Sequence, residues 1–275
     1  MHKGYIGRFA PSPSGRLHFG SLIAAVASYC DAQSNDGKWL VRIEDIDGSR
    51  TVDGAADDIL RTLEGFGLQW DSSVVKQSLR SSYYQEIVDS LLADSFAFEC
   101  ACTRKELLGH KLYPGFCRNG LPDGKQGRLV RFHTPASDLH WDDLILGKQF
   151  SRAGTETDFI IKRADGYFAY HLAVVVDDEE AGVTRVVRGE DLLESTPAHL
   201  FLQQALNYST PEYAHFNLAL NDNGTKLSKA NKAHPVEVKN APQHLLDAFE
   251  FLGIKGVDID FPSQMLKQGI AMWKL

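Results

Sequence analysis

Two short stretches near opposite ends of the chain carry residue types that handle phosphate. His18-Phe19-Gly20-Ser21 follows the loop Pro11-Ser12-Pro13-Ser14-Gly15 and leads into a segment with helical apolar spacing. That order brings His18, Gly20 and Ser21 to a helix N-terminus, where unpaired N–H groups and the helix dipole favour an anion. Gly20 would let a phosphate approach the backbone, and His18 can donate to it. Late in the chain, Gly224-Thr225-Lys226-Leu227-Ser228-Lys229 sets two lysines three apart in a polar loop, able to place point charges on phosphates as negative charge builds in a displacement. Taken alone, the first also reads as a capped helix start and the second as a solvated loop; together, at the two ends of one α/β unit, they point to phosphate chemistry. A third group, Cys100-Ala101-Cys102 and Cys117, suggests a metal: three thiolates need one more ligand for tetrahedral zinc, and general chemistry nominates His110. Cys30 stands apart, as a buried helix residue.

The elements that must position these residues follow from periodicity. Residues 5–9 read as a strand, 21–33 as a helix, 38–43 as a second strand and 52–66 as a helix, a βαβα start that favours a parallel sheet. A further helix is predicted over 80–93, after which Cys, Gly and Pro break the period over 98–127, as an insertion would. Strands are predicted at 129–132, 159–162, 167–170, 172–176 and 184–187, and helices at 195–206, 242–252 and 262–273. Arg42, beside Asp45 and Asp47, reads as a solvent-facing ion pair, and His133, His140, His171 and His199 as surface or core residues.

Composition limits the setting. With 275 residues, 43% of them hydrophobic, the chain can bury a real core as one large domain with a smaller insertion. No apolar run approaches the roughly 20 residues that span a bilayer, and no leader precedes the patterned sequence, so a cytoplasmic location is expected. The formal charge of -7 repels nucleic acid as a whole, so any contact with it must be local.

The two phosphate stretches resemble the "HIGH" and "KMSKS" signatures of class I aminoacyl-tRNA synthetases, with Phe19, Ser21 and Leu227 as conservative departures. Arg8-Phe9-Ala10-Pro11-Ser12-Pro13-Ser14-Gly15, Leu40-Val41-Arg42-Ile43-Glu44-Asp45-Ile46-Asp47 and Arg188-Gly189-Glu190-Asp191-Leu192 are similar to the glutamyl-specific members. The matches run from about residue 5 to about residue 232. The resemblance implies an α/β fold: a Rossmann-like parallel sheet with a small inserted zinc-binding, acceptor-type subdomain and a short helical C-terminal segment. The expected division is 1–97 and 191–275 as halves of the catalytic core and 98–190 as the insertion with its return to the sheet.

Glutamate itself asks for arginines to meet its carboxylates and an acid to meet its ammonium, and Arg8, Arg188 and Glu44 supply that set at predicted strand ends. Tyr170, at the end of a predicted strand, can close the pocket. The resemblance assigns Arg8, Phe9, Ala10, Pro11, Ser12, Glu44, Tyr170 and Arg188 to glutamate, and His18, Gly20, Ser21 and Lys229 to ATP. It makes His18, Lys226 and Lys229 catalytic, and Cys100, Cys102, Tyr113 and Cys117 the ligands of one structural zinc; Tyr113 here stands against His110.

Only two short predicted helices follow Lys229, less than another domain of about 100 residues. This points away from full-length glutamyl-tRNA synthetases, which continue into an anticodon-binding region, and toward their short relatives, the glutamyl-queuosine tRNA(Asp) synthetases. The implied reaction activates L-glutamate with ATP and Mg²⁺ and transfers it to queuosine in the anticodon loop of tRNA(Asp), the enzyme acting as a monomer without membrane or DNA. The competing readings are a truncated core that charges the tRNA 3′ end and a silent paralogue that only binds glutamate or ATP.

Overall fold

The structure, a computed structural model, describes residues 4–154, 157–217 and 235–275. Strand β1 (Ile6–Phe9) leads through a proline-rich loop into α1 (Phe19–Ser34), and β2 (Lys38–Ile43) pairs parallel to β1 with Arg8 opposite Leu40. After α2 (Ala55–Gly65), the short β3 (Val75–Lys76) extends this sheet beside β2. Helix α3 (Ser81–Ala93) then leads into β4 (Ala97–Cys100), β5 (Leu129–Phe132), the hairpin β6 (Leu139–Asp143) and β7 (Gly147–Ser151), and β8 (Ile160–Lys162). Strands β4, β5 and β8 form a separate antiparallel sheet.

The chain returns through α4 (Tyr170–Glu180), β9 (Arg185–Gly189), α5 (Thr196–Ala205) and β10 (Glu212–Phe216), and its last described helices are α6 (Ala241–Phe251) and α7 (Pro262–Met272). Strand β10 lies between β9 and β6 and runs parallel to both. The two halves join where the Thr184 N–H donates to the Ile6 carbonyl (2.9 Å) and the Ile6 N–H donates to Thr184 Oγ1 (3.0 Å). Strand order therefore runs outward from β1 on one side and from β9 on the other, and such a switch point opens a crevice at the carboxyl ends of the strands.

Alternating strand residues feed two cores on opposite faces. Val187 and Ala214 join α1, α6 and α7 through Leu22, Val26, Leu245, Phe249 and Met265, whereas their neighbours Val186 and Tyr213 join α4 and α5 through Leu172, Val175, Leu200 and Phe201. Trp39 on β2 locks the first core: its indole N–H donates to Ser28 Oγ and its ring stacks on Phe9.

Most predicted elements form within a few residues of their expected limits. The expected strand at 172–176 is instead the middle of α4, and the expected strand at 167–170 supplies a single bridge, Lys162 to Phe168. Leu172 through Asp178 are all buried, so the helix has no polar face and its apolar run carries no helical period. Tyr170 accordingly opens a helix and does not end a strand. The hairpin β6–β7 and strand β10 have no counterpart in the sequence-based expectation.

Candidate active site

The loop after β1 is tied to the sheet and to α1. The Glu44 N–H donates to the Pro11 carbonyl (3.0 Å), binding the loop to the end of β2. His18 is the N-cap of α1: its Nδ1 accepts from the Ser21 N–H (3.2 Å) and its Nε2 lies 3.0 Å from Ser21 Oγ. The cap is thus supplied by the histidine itself, with Gly20 and Ser21 in the first turn. Pro235 bridges to His18, and the Val236 N–H donates to the Leu17 carbonyl (3.0 Å). Lys226 and Lys229 lie outside the described residues.

Beside this loop opens a cleft of about 340 Å³ lined by Ser12, Glu44, Asp47, Arg163, Tyr170 and His171, among others. Glu44 follows directly on β2 and is buried. Burial pushes its carboxyl up to about 7, against the pull of Arg42 and Arg8. The Tyr170 hydroxyl, pushed up to about 12 by burial, sits in the combined field of Arg188, Glu44 and Arg8. Four residues expected to meet glutamate, Arg8, Glu44, Tyr170 and Arg188, therefore converge. Of these, Glu44 and Tyr170 line the cleft together with Ser12, whereas the buried Arg8 borders a second pocket with Arg42 and Asp177, and Phe9 turns its ring into the core against Trp39.

The two arginines are held differently. Arg8 is buried and its Nε and Nη2 donate to Asp178 on α4 (3.2–3.3 Å). Arg188 is equally buried, yet its described partners are all neutral. Its Nε donates to His215 Nε2 (2.9 Å) and its Nη2 to Thr196 Oγ1 (2.9 Å) and the Leu192 carbonyl (3.1 Å). Its Nη1 lies 3.3 Å from His199 Nδ1 and 3.5 Å from the Tyr170 hydroxyl. Burial, then Arg188, hold His199 well below the ordinary imidazole range, so it stays neutral.

Arg42 contradicts its expected place at the surface. It is buried, donates to Asp178 Oδ1 (2.7 Å) and reaches Glu44 Oε1 (3.5 Å) and Asp177 Oδ2 (3.6 Å). Asp177 in turn accepts from Gln77, Arg80 and the Tyr84 hydroxyl. The acid pair Asp177-Asp178 and His215 escaped sequence reasoning, whose only available signal was two acids closing an apolar run; His199, expected at the surface or in the core, is in the core, beside Arg188. The mouth of the cleft carries Asp47, whose carboxylate accepts from Arg163 (2.6 Å).

The cysteines meet away from the cleft. Cys100, Cys102 and Cys117 are buried and reduced, with their sulfurs within 4.8 Å of one another. Cys102 and Cys117 sulfurs are 3.7 Å apart, and the Tyr113 hydroxyl lies 3.5 Å from Cys100 Sγ and 3.8 Å from Cys102 Sγ. Four tetrahedral ligands at about 2.3 Å from a zinc ion would sit about 3.8 Å apart, so the donor set fits a metal as it stands. His110 lies outside this group of donors; its ring packs against exposed Phe116.

The sequence as a whole matches the family described as "tRNA synthetases class I (E and Q), catalytic domain" over residues 6–113 and 118–259. It is 48% identical over 92% of its length to the glutamyl-Q tRNA(Asp) synthetase of Dechloromonas aromatica, covering 87% of that protein. The corresponding protein of Ectopseudomonas mendocina is 45% identical over 99% of this chain and 94% of its own. The chain belongs to the glutamyl-Q tRNA(Asp) synthetase family.

Solved structures agree on the fold. A glutamate-tRNA synthetase from Elizabethkingia anophelis superposes with a TM-score of 0.75 at 30% identity over 83% of this chain. A glutamate tRNA ligase from Elizabethkingia meningosepticum, in complex with its amino acid, superposes with a TM-score of 0.79 at 26% identity over 96%. This chain spans 53% and 64% of those two proteins. The α/β class with a parallel sheet, expected from the motifs, is thereby established.

Proposed function

We propose that this protein activates L-glutamate with ATP and transfers it to the queuosine base in the anticodon loop of tRNA(Asp). The observation that carries the reading is the convergence, at the carboxyl ends of β1, β2 and β9, of two buried arginines, one buried acid and a tyrosine in a chain whose relatives bear that name. Arg188 and Arg8 offer charge to the carboxylates, Glu44 to the ammonium, and Tyr170 closes the pocket; Ala10, Pro11 and Ser12 contribute the loop wall. Phe9 supports that wall from beneath.

In the first step an oxygen of the glutamate α-carboxylate attacks the α-phosphorus of ATP in line; the new P–O bond gives glutamyl-adenylate and the old one leaves with pyrophosphate. The nucleophile is already ionised, so catalysis is positioning plus charge stabilisation. His18, Gly20 and Ser21 at the start of α1 seat phosphate, and Lys226 and Lys229 follow the charge as it moves to the leaving group. Mg²⁺ accompanies ATP. In the second step a queuosine hydroxyl attacks the activated carbonyl and AMP departs.

The Cys100, Cys102, Tyr113 and Cys117 cluster would hold one zinc ion, which there supplies cross-linking of the lobe and not chemistry at the cleft. Matched tRNA(Asp) samples with and without queuosine, incubated with labelled glutamate and ATP, test the proposal. Label should enter only the queuosine-containing sample. Charging of the tRNA that lacks queuosine would replace the proposal with 3′-end aminoacylation, and absence of glutamate-dependent pyrophosphate exchange would leave a silent binding protein.

A further inference from the structure

Three adjacent strands carry a row of polar side chains that reaches Arg188 from behind. Arg188 on β9 and His215 on β10 are register partners, and Asp143 closes β6 beside Tyr213 of β10. His215 is fully buried. Its Nδ1 lies 2.5 Å from Asp143 Oδ2, and its Nε2 accepts from Arg188 Nε (2.9 Å). Asp143 is itself fixed, since Oδ1 accepts from the backbone N–H groups of His215 (3.2 Å), Ile145 (3.0 Å) and Leu146 (2.9 Å).

This arrangement admits one tautomer. An arginine Nε–H can only donate, so His215 Nε2 must offer its lone pair and the ring proton must sit on Nδ1, toward the Asp143 carboxylate. Burial and Arg188 hold the imidazole down to about 4 although Asp143 opposes this, so the ring is neutral under physiological conditions. Arg8 and Arg42 share the single carboxylate of Asp178, which offsets only part of their joint charge, whereas Arg188 is gripped through neutral atoms that fix its plane without neutralising it. The grip leaves a rigid cation whose Nη1 edge, held only at 3.3–3.5 Å by His199 and Tyr170, is the one an incoming carboxylate can take over.

We infer that His215, oriented by Asp143, is a positioning residue for substrate: it fixes the Arg188 guanidinium and thereby sets the affinity for glutamate. The inference rests on the proposal that Arg188 meets a glutamate carboxylate. Asp143→Asn is the sharpest probe. Its amide can present N–H to Nδ1 and move the ring proton to Nε2, where it would face the Arg188 Nε–H donor. His215→Phe removes the acceptor, and His215→Gln can restore one through Oε1.

The test is calorimetric titration of the full chain and its variants with glutamate and, separately, with ATP, alongside Tm. Asp143→Asn and His215→Phe should weaken glutamate binding about ten-fold or more, as expected for losing a hydrogen bond to a charged group. ATP binding should stay within about two-fold, and His215→Gln should recover most of the glutamate affinity. Unchanged glutamate affinity in Asp143→Asn overturns the inference, and so does an equal loss for both ligands, which marks a merely structural role. Should His215→Phe fail to fold, Asp143→Asn and His215→Gln decide. Arg188→Ala separates the two levels. If it leaves glutamate binding intact, the glutamate site itself is wrongly placed; if it abolishes binding while the His215 and Asp143 variants do not, only the positioning role fails.

Discussion

Asp178 is the residue on which the charged centre depends. It is buried and faces Arg8 and Arg42, which hold its carboxyl below the usual range despite the burial that would raise it. Removing it strands two buried cations, so Asp178→Ala should destabilise the fold by about 3–5 kcal/mol, read as a fall in the denaturant midpoint. Glu44 has the opposite balance, with a carboxyl near 7 in the ligand-free protein. Below that pH it gains a proton and loses its attraction for ammonium, so the KM for glutamate should climb as pH falls from 8 to 6 while the KM for ATP does not. A Glu44→Gln variant should show a high and pH-independent KM for glutamate, and a flat wild-type profile would remove Glu44 from the site. At this scale the sequence nominated Arg8, Glu44 and Arg188 because glutamate dictates which groups must meet it, and the fold brings the three together around Tyr170. It could not reveal Arg42 as buried, since its partner Asp178 is 136 residues away and pairing at that separation leaves no local trace.

Helix α4 shows where element-level reasoning works and where it stops. Helix α2 has one buried stripe, at Ala55, Ile59, Thr62 and Leu63, and was legible from spacing alone. Helix α4 is enclosed from Leu172 to Asp178, so burial erased the period that would have distinguished it from a strand. The cysteine lobe was legible for a different reason, because a metal site is defined by ligand types more than by secondary structure. Purified protein should carry one zinc per chain by elemental analysis. Cys102→Ser should lose it and lower Tm, Tyr113→Phe should retain it more weakly on dialysis against a chelator, and His110→Ala should be indistinguishable from wild type. Full retention in Tyr113→Phe would remove the tyrosine from the ligand set.

Across the molecule the net charge of -7 is unevenly spread. The stretch 101–128 carries Arg104, Lys105, Lys111, Arg118, Lys125 and Arg128 against Glu106 and Asp123, with Phe116 and Leu108 exposed among them. A polyanion repelled by the whole can still be met there. Replacing both Lys105 and Lys111 by Glu should weaken tRNA binding and flatten its salt dependence, while glutamate-dependent pyrophosphate exchange in the absence of tRNA stays at the wild-type level. A salt slope identical to wild type would move the contact elsewhere. Lys226 and Lys229 of the late polar loop, with Lys232 just after them, are a further basic group in the stretch assigned to phosphate chemistry, and they fall outside the described residues.

The seam between Ile6 and Thr184 has a consequence for how the protein comes into being. It joins residues 178 positions apart, and Arg8 and Arg188 sit just beyond it on its two sides. During synthesis the first half can build its own strands and the phosphate turn, but Arg188, His215 and the acid on α4 are still to come. Contacts of such separation are slow to form. A nascent chain therefore acquires its hold on the amino acid late, once β10 has emerged, and ligand capture becomes a sign that the polypeptide has closed upon itself.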